Sequence, residues 1–171
     1  DDGFTMEVWF RVTPEDAATF GRLFDTADGT DSTRGWSLML PSADPTARLQ
    51  FDRGFSVSEA QYSTATFDAV GWKHVALTFA ADESLRIWVN AEELAVELQT
   101  APQGLPTSDA ERPQAIGTLA SDSSDNRTFE GLIDELRISR GVRSPAWLEA
   151  SYRVAQDGVV TVGPEALAPA D

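Results

Sequence analysis

Asp134 is the acidic residue best placed for chemistry. It lies in the segment FEGLIDELRIS, residues 129–139. A period of two along this stretch puts it on the face that carries Leu132, Leu136 and Ile138, which reads as the face turned to a core. An isolated ionised carboxylate is costly there, so the position calls for a cation or for several donors such as backbone N–H groups. Asp28 and Asp31, in the polar stretch 25–35, can add oxygen ligands or simply be solvated. A second set is aromatic. Trp9 and Trp88, with His74, Arg86 and Arg11, fall on the outward phase of their strands. Sugars stack their C–H faces on aromatic rings while polar neighbours fix the hydroxyls. Trp88, Trp9, His74 and Arg86 are therefore candidate ligand-binding residues, with cross-strand packing as the competing reading. Tyr62 and Arg53, in polar segments, are further candidates.

Catalysis has less to work with. Glycoside hydrolysis needs two carboxylates facing one bond, about 5–5.5 Å apart in retaining enzymes. Glu130, Asp134 and Glu135 come nearest, but their spacing divides them between the two faces of a strand. His74 is the one histidine in the chain, and no strand–turn–helix nucleophile motif accompanies it. No catalytic residue is expected.

The elements that must position these side chains are strands. Residues 4–12 (FTMEVWFRV) alternate, with Phe4, Met6, Val8, Phe10 and Val12 on one face. Residues 72–79 (WKHVALTF) and 85–90 (LRIWVN) alternate likewise and read as a hairpin. Val75, Leu77, Phe79, Leu85, Ile87 and Val89 point inward. Shorter strands are expected at 23–24, 36–40, 48–52, 94–98 and 115–119, the last long one over 129–139, and a polar edge strand within 55–66. Trp36 and Trp72 border turns and read as rim core. Ser144-Pro145 reads as an N-cap followed by proline at the first helical position. It opens one helix over 146–154, with Trp147, Leu148 and Tyr152 as its anchors. Many short strands with turns between them, plus a terminal helix, predict an all-β, two-sheet antiparallel sandwich.

The chain's 171 residues suffice for one such domain. The sandwich is expected over residues 1–154, with the Gly/Ala/Pro-rich stretch 155–171 as a linker or tail. Asp1-Asp2-Gly3 runs straight into the first strand, so the expectation is a piece of a longer chain with neighbouring domains. The net charge of −15 argues against nucleic acid and anionic membrane as partners, and suits divalent cations or solubility alone. No apolar run reaches the roughly 20 residues of a membrane span. Cysteine is absent, so disulfides play no part.

Four segments in order, WKHVALTF, LRIWVN, FEGLIDELRIS and SPAWLEASY, together with the opening FTMEVWFRV, resemble the laminin G-like, concanavalin A-like jelly-roll modules of bacterial surface proteins. The resemblance covers residues 4 to about 153. It implies a jelly roll, and a structural Ca²⁺ at the sandwich rim held by an aspartate at the position of Asp134. It also implies that the first and last strands pair, which would set Glu7 against Arg137, with Glu135 able to share in the ion pair. The Glu-x-Asp-x-(x)-Glu and Gln-x-His patterns of enzymes on this fold are absent. One departure is the turn after Val89. Asn90-Ala91 stands where the family has Asp-Gly or Asn-Gly, which predicts a wider turn. The resemblance implies a non-catalytic module of a secreted or cell-surface protein that binds carbohydrate or glycoprotein. The alternative is a calcium-rigidified structural or adhesive spacer.

Overall fold

The computed structural model describes residues 3–13, 21–27, 33–41, 43–44, 46–120 and 127–157. Among them the chain forms two stacked antiparallel sheets, a small third sheet and a single helix. The strands are β1 (Phe4–Val12), β2 (Gly21–Asp25), β3 (Trp36–Leu40), β4 (Ala43–Asp44), β5 (Thr46–Ala47), β6 (Gln50–Gly54) and β7 (Glu59–Thr64). They continue as β8 (Phe67–Asp68), β9 (Lys73–Phe79), β10 (Leu85–Val89), β11 (Glu92–Leu94), β12 (Val96–Thr100), β13 (Ala115–Ile116) and β14 (Gly131–Arg140). The helix α1 spans Pro145–Asp157. The first sheet runs β11-β10-β9-β1-β14 and the second β12-β7-β6-β3-β2-β13, while β4, β5 and β8 form the small one.

The alternation read from sequence holds in the inner faces. Met6, Val8 and Phe10 of β1, with Val75 and Leu77 of β9 and Ile87 of β10, face Leu38 and Leu40 of β3 and Phe51 of β6 in one buried core. Trp36 ties the layers together: its ring lies 4.9 Å from Phe4, 4.6 Å from Phe24 and 5.9 Å from Phe51. The expected strand 94–98 is in fact two. The chain leaves the first sheet after Leu94 and enters the second at Val96. As a result β7 is not an edge strand. It pairs with β6 on one side and β12 on the other.

Two local features depart from expectation. The turn between β10 and β11 is tight, not wide. Val89 pairs directly with Glu92, and both loop residues take left-handed backbone, Asn90 at φ 51° and Ala91 at φ 66°. That is a two-residue turn whose twist suits a hairpin, adopted without glycine. Asn90 fits it because its side chain works locally: Oδ1 accepts the His74 N–H at 2.9 Å. The second departure is in β14. Glu7 pairs with Arg137 but Trp9 pairs with Asp134, so three steps on β14 match two on β1. The extra residue is a bulge, and Glu135 takes φ 51° within it.

Helix α1 begins as the sequence predicts. The Ser144 hydroxyl accepts the Trp147 N–H at 3.3 Å, and Pro145 is the first helical residue. The helix lies on the outer face of the first sheet, where Leu148 is buried with Ala76 and Trp88.

Candidate functional site

The bulge overturns the expectation for Asp134. Beyond it the phase of β14 reverses: Ile133 pairs with Phe10 and packs on the core, while Leu132 and Asp134 turn outward. Asp134 is solvent-exposed, and its Oδ1 accepts the Glu135 N–H at 2.8 Å. The need for a cation to neutralise a buried charge there does not arise. Asp28 and Asp31 lie outside the described residues. Among the described residues no three His, Asp or Glu side chains converge as a metal site.

The aromatic candidates are corrected too. Trp88 and His74 project outward from their strands but are only 3 % and 1 % exposed. Trp9 is 8 % exposed. Helix α1 covers them. Tyr152 stacks on Trp9 with ring centroids 5.8 Å apart and on His74 at 5.9 Å. Beneath it, His74 Nε2 lies 3.5 Å from Glu7 Oε1. Burial alone would raise the Glu7 carboxyl. The His74 ring, the Ser151 hydroxyl and the Arg137 charge outweigh it and hold the group below its ordinary value. Arg86 stays exposed, paired with Glu93 and stacked over Trp88 at 5.0 Å. Trp88, His74 and Arg86 thus form a packed sheet–helix interface and its border. The registered neighbours Glu7 and Arg137 share the outer face as the resemblance implied, but Arg137 Nη2 lies nearest Glu135, 3.7 Å from Oε2.

What remains open is a groove of about 800 Å³ beside the helix, a size suited to a small ligand. Trp72 and Trp147 line it, with Asp134, Glu135, Arg137 and Ser151 between them and Trp9 at its floor. Trp72 is 37 % exposed and Trp147 53 %. Each indole carries a guanidinium over its ring: Arg11 lies 5.6 Å from Trp72, and Arg143 4.7 Å from Trp147. Contacts of this kind at exposed sites contribute about 0.5–1 kcal/mol each and favour these ring orientations. Trp72 is therefore not rim core, and Trp147 is not an anchor. Helical geometry separates the two roles. Leu148 and Tyr152, four residues apart, share the stripe that meets the sheet, whereas Trp147, Ala150 and Val154 share the neighbouring stripe that lines the groove. The period was readable in the sequence. The second apolar stripe was its signal.

The outer face of the second sheet carries a separate set of acids. Asp52 of β6 accepts from Gln50 Nε2 at 2.8 and 3.1 Å. Burial pushes its carboxyl up to about 7. Asp25, ion-paired with Arg22 at 3.4 Å, and Glu59 are also raised by burial.

Comparison with known proteins agrees with this architecture. A laminin G family model, described as Concanavalin A-like lectin/glucanases superfamily, matches residues 1–149. No curated protein sequence matches the chain. Among solved structures, the CBM40 of the Ruminococcus gnavus IT-sialidase superposes with a TM-score of 0.61 at 16% identity, covering 88% of this chain and 83% of that one. The same module has been solved bound to alpha2,3 sialyllactose. A Bacteroides ovatus protein described as carbohydrate-binding gives 0.60 at 17% identity, over 86% of this chain and 40% of that one. A heptameric SAP-like pentraxin from Limulus polyphemus gives 0.59 at 12% identity, over 92% and 72%. At these identities the likeness is one of fold.

Proposed function

Because the chain belongs to the Concanavalin A-like lectin/glucanases superfamily, we propose that it is a non-catalytic carbohydrate-binding module whose site is the groove beside helix α1. One observation carries the reading. Two exposed indoles, Trp72 and Trp147, line one groove with the hydrogen-bonding side chains of Asp134, Glu135, Arg137 and Ser151. Rings take the C–H faces of a sugar, and carboxylates and guanidinium take its hydroxyls. A relative in fold solved with bound sialyllactose supports the same class of ligand.

Geometry supports the non-catalytic half. Asp134 and Glu135 are consecutive on one bulged strand, and each is already engaged, Asp134 by the Glu135 N–H and Glu135 by Arg137. Glycosidic cleavage needs two carboxylates on opposite sides of one bond. A glycan ligand suits a module that works outside the cell, on a secreted or surface protein. Among the described residues no helix is long and apolar enough to cross a membrane.

The test is a titration of intrinsic tryptophan fluorescence against a panel of neutral and acidic oligosaccharides. Saturable change with at least one glycan is expected. A flat response across the panel at millimolar sugar would remove the reading.

A further inference from the structure

A second cleft, of about 960 Å³, shares no lining residue with the groove. Its walls come from the start of β1, the β9–β10 turn and the loop after Pro106. Phe4, Trp36 and Phe79, the aromatic ties between the two sheets, line its inner side. Arg53 also enters it. This residue pairs with Trp36 across β6 and β3, so its side chain leaves the sheet on the inward face.

The Arg53 guanidinium is incompletely satisfied. Its Nη2 donates to the Thr107 carbonyl at 3.0 Å. Its Nη1 lies 3.7 Å from Asp109 Oδ2, too far for a hydrogen bond. Among the described residues, Nε and Nη1 are both buried with no hydrogen-bond partner. Leaving buried donors of a charged group unmade is costly, and in a native fold it asks for an explanation. The Glu83 carboxylate, also in the cleft, acts on Arg53 through its charge, and the two neighbours nearest the guanidinium differ in anchorage. Thr107 is pinned, since its hydroxyl has one proton to donate and two carbonyls within reach, Thr33 at 2.7 Å and Gly54 at 3.1 Å. The Asp109 side chain is 41% exposed and sits at the head of the turn closed by the Arg112 N–H.

We propose that this cleft binds a small organic carboxylate with an apolar face, whose carboxylate takes the place of Asp109 against Arg53. The ligand's oxygens reach Nε and Nη1 once Asp109 moves aside, and its apolar face rests on Phe4, Trp36 and Phe79. Asp109 is then an internal competitor that holds the cation loosely until the ligand arrives. Charge-assisted pairing of this kind favours a planar carboxylate over a neutral hydroxyl. The proposal is independent of the groove: different lining residues, and a requirement for charge rather than for a sugar.

The experiment uses the full chain and two matched probe pairs, glucuronate against glucose and benzoate against benzamide. Binding is followed by ¹H–¹⁵N NMR at the Arg53 Nε–H and the Thr107 and Asp109 amides, while the Trp72 and Trp147 indole signals report the groove separately. At least one carboxylate is expected to shift the Arg53 and Asp109 signals saturably, with its neutral counterpart binding at least tenfold more weakly. Asp109→Asn removes the competitor from an exposed position, and should raise the affinity severalfold. Arg53→Gln should lose at least tenfold. Equal binding of charged and neutral probes would overturn the proposal, and so would silence at Arg53 Nε–H or an Asp109→Asn variant that binds no better than the parent. Since that variant changes an exposed carboxylate, the proposal can be overturned even if Arg53→Gln fails to fold. Shifts confined to Trp72 and Trp147 would support the groove and reject the cleft.

Discussion

The ring of Tyr152 lies over that of Trp9 at an interplanar angle of 18°, with 5.8 Å between centroids. One residue comes from the C-terminal helix and the other from the first strand of the sandwich. The contact joins the two ends of the domain. It turns an outward-facing aromatic strip into a second small core, in which Leu148 sits against Ala76 and Trp88. It also sets the floor and one wall of the groove.

Leu148→Ala should therefore loosen the helix without dissolving the main core. Removing a fully buried leucine typically costs about 2–5 kcal/mol, and a site at the edge of the fold falls toward the lower end. Thermal unfolding gives the cost. Acrylamide quenching gives the location, because Trp9 and Trp88 should become more accessible while Trp36 does not. An unchanged melt together with unchanged quenching would show that the helix contributes no packing here.

Trp72→Ala and Trp147→Ala address the groove. Both rings are exposed, so stability should change by less than about 1 kcal/mol. Glycan affinity should fall about tenfold or more for each, on the order of 1.4 kcal/mol. A variant at Arg86, outside the groove, should bind as the parent does. If Trp72→Ala and Trp147→Ala both left affinity intact, the groove would not be the site.

The sheets were legible because alternation along β1, β9 and β10 is a direct consequence of burying one face. The pairing of Glu7 with Arg137 was legible through the family resemblance, which sets the first strand beside the last. The bulge at Glu135 was not. One extra residue leaves no mark on composition, yet it reverses the phase of everything before it and carries Asp134 from the core face to the groove. Nor does alternation say what covers an outer face. The outward phase of Trp9, His74 and Trp88 is plain in the sequence, and so is the helix that buries them, but only packing joins the two facts. Glycine is the usual sign of a tight turn, and at residues 90–91 Asn90 supplies the left-handed geometry in its place.

That turn leaves Ala91 in a left-handed conformation, which costs an L-residue with a Cβ about 1–2 kcal/mol. Ala91→Gly should recover part of it. The greater freedom of glycine in the unfolded chain offsets the rest, so the expected gain is about 0.5–1 kcal/mol. In a domain of this size that raises the melting temperature by about 1–4 °C. A melting temperature that falls would mean that the side chain of Ala91 makes a contact worth more than the strain.

Asp52 sets a pH dependence whose sign can be worked out. Burial, with Glu59 and Asp25 nearby, raises its carboxyl to about 7, against the opposing pull of Gln50 and Arg22. In the unfolded chain an aspartate titrates near 4. Between about pH 4 and about 7 the folded protein holds a proton that the unfolded chain has lost, so stability falls as pH rises through that window and levels off above it. Asp52→Asn removes the titration but keeps the size and an acceptor for Gln50. At pH 4 the variant should match the parent. At pH 8 it should be the more stable by about 2 kcal/mol, solvent screening taking up the rest of the nominal shift. Asp25 and Glu59, also raised by burial, titrate in both proteins, so the difference between the two curves reports Asp52 together with its coupling to them. Urea unfolding at intervals from pH 4 to pH 8 measures it. A constant offset at every pH would mean that Asp52 is ionised throughout, and that its neighbours, the Gln50 hydrogen bond ahead of the Arg22 charge, hold the charge more strongly than burial opposes it.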